Sequence, residues 1–171
     1  EVSRGVQSLL YSDEIALNQI FQRADLLIKR GAIDDAYKWY NQATSRFPEN
    51  VIAWRTIGDF EFKYLENDER GRESFEKAIM LDPKDPVTYR SYAYWEHDRG
   101  AKFGRKKNYK KAIELNEKAL TILKDKSEIR LTNDHIASSF MKLGYLHKDE
   151  AYRTKNKSLF KDAEQYFKKV I

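Results

Sequence analysis

His97, His135 and His147 are the only imidazoles in the chain of 171 residues, and imidazole is the side chain best suited to acid–base and metal-ligand chemistry near neutral pH. None of the three stands at metal-ligand spacing with another. There is no cysteine, so thiolate metal sites and disulfides are excluded and a reducing compartment is expected. Gly100-x3-Gly104-Arg105-Lys106-Lys107 has the composition of a phosphate-cradling loop. It is one residue short, lacks the Ser or Thr that should follow the lysine, and is preceded by no strand. Carboxylates such as Glu61 and Asp98 lie on helical stretches with no nucleophile pattern beside them. No catalytic residue, metal ligand or cofactor is therefore assigned, and the chain reads as a non-enzyme.

What remains is the chemistry of recognition. Lys102, Arg105, Lys106, Lys107, Lys110 and Lys111 form one basic run, with Phe103 and Tyr109 interleaved. Arg153, Lys155, Lys157 and Lys161 form a second. Cations alternating with aromatics are what phosphates and unstacked bases require of a nucleic-acid surface, although a lysine-rich solvated loop or an acidic protein partner accounts for the same pattern. Residues 1–98 hold 13 Lys and Arg against 18 Asp and Glu, a balance of −5, whereas residues 99–171 hold 19 against 9, a balance of +10. Such asymmetry concerns partners rather than fold.

The elements that carry these residues follow from a recurring spacing. Ala36-x3-Tyr40-x2-Ala43-x4-Pro48 returns as Gly71-x3-Phe75-x2-Ala78-x4-Pro83. Ala112-x3-Asn116-x2-Ala119 keeps the small residues and loses the aromatic and the proline, and Ala163-x3-Phe167-x2-Val170 is cut off by the chain end. Upstream of each, Ala24, Gly58, Ala93 and Gly144 mark a preceding helix. Small residues on both helices let two axes approach to the lower end of the roughly 8–10 Å packing range. The spacing predicts an all-α solenoid of antiparallel helix pairs, about four repeats at 17–50, 51–85, 86–127 and 128–171. Residues 1–16 are expected to be the end of a preceding repeat or an N-terminal cap helix, with Val2, Val6 and Leu9 on its inner face. The missing initiator methionine and the absence of a polar capping helix at Val170-Ile171 read as a segment of a longer array.

Repeat boundaries are punctuated in the usual ways. Gly31 should break one helix, Asn50 and Asp85 should cap the starts of others, and Asp34 should open the second helix of the first pair. The small-to-small spacing is twelve residues from Ala24 to Ala36 but nineteen from Ala93 to Ala112 and from Gly144 to Ala163. Seven extra residues are almost two helical turns, so both helices should lengthen without rotating their apolar faces. No apolar run approaches the roughly 18 residues of a spanning helix, and a soluble, cytoplasmic protein is expected.

These residues resemble the tetratricopeptide repeat (TPR) family. Trp54-x2-Ile57-Gly58 with Gly71…Phe75…Ala78…Pro83 is the fullest copy, and Phe140-x2-Leu143-Gly144 matches the first half. The resemblance implies a right-handed superhelix whose first helices line a concave groove. Mapped residue by residue, that groove includes Phe21, Asp25, Arg55, Asp59, Phe62, Arg90, Tyr94, His97, Met141, Lys142 and Tyr145. Arginine and aromatics there suit a peptide or a helix of another protein. TPR domains that clamp the C-terminal carboxylate of heat-shock chaperones use a lysine and an asparagine one turn apart. The matching pairs here are Phe21 with Asp25, Arg55 with Asp59 and Arg90 with Tyr94, so that clamp is not expected. Trp54-x2-Ile57-Gly58-x-Phe60-Glu61 and Tyr89-x2-Tyr92-Ala93-x-Trp95-Glu96 also resemble half-a-TPR (HAT) repeats of RNA-processing scaffolds. That second resemblance implies a nuclear nucleic-acid binder working through the basic edge. The first implies a protein-interaction or sensor segment of a larger protein.

Overall fold

Local signals set the helix limits. Gly31 adopts the left-handed conformation (φ +75°) that ends the first helix, a geometry only glycine reaches without strain. Asn50 accepts a hydrogen bond from the amide of Ala53, and Asp85 from those of Val87 and Thr88 with Pro86 at the first helical position. The computed structural model describes residues 2–170, with side chains from residue 12 onward. Its helices are α1 (Val2–Lys29), α2 (Ile33–Arg46), α3 (Val51–Lys63), α4 (Asp68–Leu81), α5 (Pro86–Phe103), α6 (Lys106–Leu120), α7 (Lys126–Thr154) and α8 (Lys157–Lys168). There is no strand among the described residues. Each helix packs against its successor within the pairs α1–α2, α3–α4, α5–α6 and α7–α8.

Two details differ from the sequence reading. Residues 2–16 form no element of their own, because α1 runs unbroken from Val2 to Lys29. The reason is visible in the sequence, where no glycine or proline occurs between Gly5 and Gly31. Val2, Val6 and Leu9 lie outside the residues whose side chains are described. Asp34 does not cap α2, whose preceding residue is Ala32 without a side-chain cap; Asp34 and Asp35 instead sit in the first turn, where negative charge complements the helix dipole.

The chain divides into two compact units, residues 1–83 with α1–α4 and residues 84–171 with α5–α8. In the first, Ala24, Ala36, Tyr40, Ile57 and Phe60 form a buried cluster flanked by Trp39 and Trp54. In the second, Tyr109, Ile113 and Leu143 form the core with Phe140, Leu146 and Tyr166 against it.

The crossings are tighter than small-against-small packing. A Cβ built on Gly71 would stand 2.4 Å from the ring of Phe62, and one on Gly58 would stand 3.0 Å from the ring of Phe75. Each helix of the α3–α4 pair thus seats an aromatic ring on the other's glycine. Gly144 receives Phe167 at 2.5 Å by the same measure, and Gly100 receives Tyr109 at 3.0 Å. Phe62 and Phe75 are fully buried, and such burial is worth roughly 1.5–3 kcal/mol per side chain.

The nineteen-residue spacings lengthen both helices of the pair. α1 and α3 end five residues past Ala24 and Gly58, whereas α5 and α7 end ten residues past Ala93 and Gly144. α2 and α4 start three residues before Ala36 and Gly71, whereas α6 and α8 start six before Ala112 and Ala163. Relative to the first pair, the helices gain eight residues where the spacing gains seven, the connection between them being one residue shorter, as the near-integral number of turns allows.

Candidate binding surfaces

The first unit presents an acidic, internally engaged surface. Asp25 is exposed on α1 and accepts a hydrogen bond from the Tyr40 hydroxyl at 3.3 Å, beside the ring of Phe21, which packs 5.9 Å from that of Tyr40. Arg55 and Asp59 are half-buried on α3. Phe62, expected to line a groove, is instead core. Standing one turn after Gly58, it shares that residue's face and turns toward α4.

Behind α3 lies a polar cleft built on Glu61, which is buried at 3% exposure. Its carboxylate accepts from Ser74 Oγ at 2.6 Å and from the Tyr37 hydroxyl at 3.0 Å, and Arg70 donates to the same hydroxyl. Burial raises the Glu61 carboxyl above its usual range against the pull of those donors. Two donors satisfy the buried acid, so the cleft is a structural network rather than an open site.

The second unit differs. On α5 and α7, Tyr94 and Tyr145 occupy the same place, one residue after the small crossing residue, and are 57% and 50% exposed. Their neighbours Ala93 and Gly144 are buried. Tyr94 leans edge-on against Trp95 at 5.1 Å, and Tyr145 against Phe167 at 5.3 Å. Met141 and Lys142 are exposed on α7. Arg90 is half-buried and donates to Glu128 of α7 at 3.2 Å, which ties α5 to α7.

Beneath Tyr94 is a recess of about 200 Å³ lined by Ala93, Tyr94, His97, Asn116, His135, Ser138 and Ser139. His97 and His135, thirty-eight positions apart, meet here, which spacing alone did not reveal. Ser139 Oγ donates to the backbone carbonyl of His135 at 3.1 Å and lies 2.8 Å from His97 Nδ1. Burial, then the charges of His135 and Lys142, holds the His97 imidazole below its ordinary range. Asn116 is 3% exposed and its Oδ1 has no hydrogen-bond partner. The signal for this recess was in the repeat: Asn116 stands where the other three pairs carry Tyr40, Phe75 and Phe167, and the missing ring leaves the space.

The basic edge is partly neutralised by the fold. Lys106, on α6, is ion-paired with Glu150 of α7, and Lys111 with Glu114 at 3.0 Å. Tyr109, expected as a stacking residue, is buried over Gly100. Phe103 is exposed, with Arg105 and Lys102 at 4.6 and 5.5 Å from its ring. Lys110 lines a small cleft with His147 and Asp162, while Lys107, Arg153, Lys155, Lys157 and Lys161 are exposed. The glycine-containing stretch is no phosphate loop, since Gly100 is interior to α5 and Gly104 is its left-handed C-cap (φ 63°).

No family model matches the chain, and no curated protein does. Solved structures do. Two crystal structures of MamA superpose with a TM-score of 0.55 at 17% identity, covering 98% of this chain and 78% and 83% of theirs. Pseudomonas aeruginosa PilF superposes at 0.54 with 18% identity, covering 93% of this chain and 61% of its own. Both are built of TPR helix pairs. The fold is TPR-like.

Within that TPR-like frame, the glutamates that carry the HAT resemblance have a local role. Glu61 is the acid of the cleft in the first unit, and Glu96, equally buried, accepts from Asn108 Nδ2 at 2.6 Å. No helix among the described residues is long and apolar enough to cross a membrane.

Proposed function

We propose that this TPR-like chain is a non-catalytic protein-interaction segment, and that α5 and α7 of the second unit present the surface that holds a peptide or a helix of the partner. The observation that carries the reading is the pair Tyr94 and Tyr145. Two large aromatics at equivalent positions of neighbouring first helices are half exposed, while the residues just before them, Tyr92, Ala93, Leu143 and Gly144, are buried. Tyrosine buries a large, nearly rigid surface at low entropic cost and keeps a hydroxyl for hydrogen bonding, which is why it recurs among residues that dominate binding. Met141 and Lys142 beside them add an adaptable apolar contact and a positive charge. No lysine–asparagine pair occupies the matching first-helix positions, which argues against a carboxylate clamp as the mode of capture. The basic edge supports no second reading, because Lys106 and Lys111 are ion-paired within the fold and Tyr109 is core.

The test is a peptide-display selection against the full chain, followed by Tyr94→Ala with Tyr145→Ala. Selected peptides should lose about 2 kcal/mol of binding or more, with the melting curve unchanged. Undiminished affinity in the double variant would move the binding surface elsewhere.

A further inference from the structure

The recess under Tyr94 holds an unusual combination for a helical repeat. Asn116 is almost wholly buried, yet its side-chain Oδ1 meets no partner, at a cost of about 1–3 kcal/mol. Across the same space His97 is held by Ser139 through Nδ1, and Ser138 adds a hydroxyl to the lining. The recess measures about 200 Å³, below the roughly 300–1,000 Å³ of a drug-sized site. It admits one side chain and excludes a cofactor.

The lining also selects by charge. No carboxylate lines the recess, so an ammonium or guanidinium would be buried unpaired, with the charge of Lys142 felt at His97. A carboxylate offers acceptors alone and supplies no donor to the carbonyl of Asn116. An aliphatic side chain would leave Asn116 and His97 unsatisfied. A primary carboxamide avoids all three penalties, because its N–H2 and C=O complement the amide of Asn116 in either orientation and meet His97 Nε2 in either tautomer.

We propose that the recess is a carboxamide pocket, taking the side chain of a glutamine or asparagine presented by the bound peptide and pairing it with Asn116 and with Nε2 of His97. The proposal rests on the peptide-binding reading of the second unit and names what that surface selects. The pocket exists because Asn116 replaces the aromatic of the repeat. The void that Tyr40, Phe75 or Phe167 fills in the other pairs is here kept open and polar.

The experiment titrates the full chain with pentapeptides Gly-Gly-X-Gly-Gly, capped by acetyl and methylamide so that no other primary carboxamide is present. X is Gln, Asn, Glu, Lys or Leu, and the side-chain amide of Asn116 and the ring of His97 are followed by NMR. Gln or Asn should shift both signals saturably and bind about fivefold more tightly than the other three, the worth of one buried hydrogen bond. Asn116→Phe, which restores the ring of the repeat, should erase that preference while holding or raising the melting temperature. Asn116→Ala repeats the test without adding volume. A preference for Glu, a response to none of the five, or a preference that survives both substitutions would overturn the proposal. N-acetylglutamine methylamide binding as tightly as the pentapeptide would assign the pocket to a small amide and overturn the peptide claim. Display-selected peptides that need Tyr94 and Tyr145 but ignore Asn116→Phe would remove the pocket and leave the surface standing.

Discussion

In the first unit the buried carboxylate of Glu61 is met by Ser74 and Tyr37, and the exposed Asp25 is met by Tyr40. In the second, Asn116 is as deeply buried as Glu61 and its Oδ1 meets nothing, while Tyr94 and Tyr145 project from the helices above it. Both units rest on the same helix-pair geometry, with aromatic rings seated on glycines. The contrast teaches that the shared plan supplies stability, and in the reading we propose recognition enters where a pair departs from it. A unit that satisfies its polar groups internally has little left to offer a partner.

The shared plan should break in both units alike, and this is the largest expected effect. Gly71→Leu and Gly144→Leu place a side chain where Phe62 and Phe167 already stand, and each should destabilise at or above the upper end of roughly 1–3 kcal/mol in a denaturant melt. Gly58→Leu should cost less than either, since its neighbour Phe75 stands farther off. A Gly144→Leu variant as stable as the parent would show that the second unit does not use the lock.

A change of pH should separate the units. Burial holds Glu61 above its ordinary 4.5, so the native state keeps a proton that the unfolded chain has released. Its contribution therefore falls as pH rises from 4.5 and is recovered on acidification. In the second unit burial depresses His97 and His147 below 6.5, so their contribution is complete above 6.5 and is lost as pH falls through their native values. The Lys106 hydrogen bond to Glu150, which depresses that carboxyl, adds to the loss at lower pH. Hydrogen exchange at pH 7 and pH 4.5, corrected for intrinsic rates, should show α5–α7 losing protection before α3–α4. Glu61→Gln should remove the gain in the first unit. Simultaneous loss across both units would erase the distinction.

The smallest effect concerns the basic edge. Lys106→Met should cost more, through Glu150, than Lys111→Met through the more exposed Glu114. Thermal melts at low and high salt measure both, and equal losses would mean that the bridge between α6 and α7 adds nothing beyond a surface pair.

The sequence made the helix pairs legible because a small residue at a crossing leaves a spacing that survives divergence. The nineteen-residue intervals likewise announced longer helices, since seven residues preserve the apolar face. Phe62 was misplaced because it was counted by its offset from Arg55 and Asp59. Its i, i+4 relation to Gly58 would have turned it inward. Tyr109 was read from the cations around it, although it precedes Ala112 by three positions and so shares its buried face. The recess was hidden for a different reason. Asn116 looked like decay of the repeat, and only the meeting of His97, His135 and Ser139 from two helices shows that the lost ring became a space.

The account stands most directly on the claim that binding belongs to the aromatic surface of the second unit. Affinity of a display-selected peptide should be measured for the parent, for Tyr94→Ala with Tyr145→Ala, and for the control Leu26→Ala with Met80→Ala, exposed positions of the first unit. The account predicts a loss of about 2 kcal/mol or more for the tyrosine pair and less than about 0.5 kcal/mol for the control, at unchanged melting temperature. Equal losses, or a loss confined to the control, would contradict it.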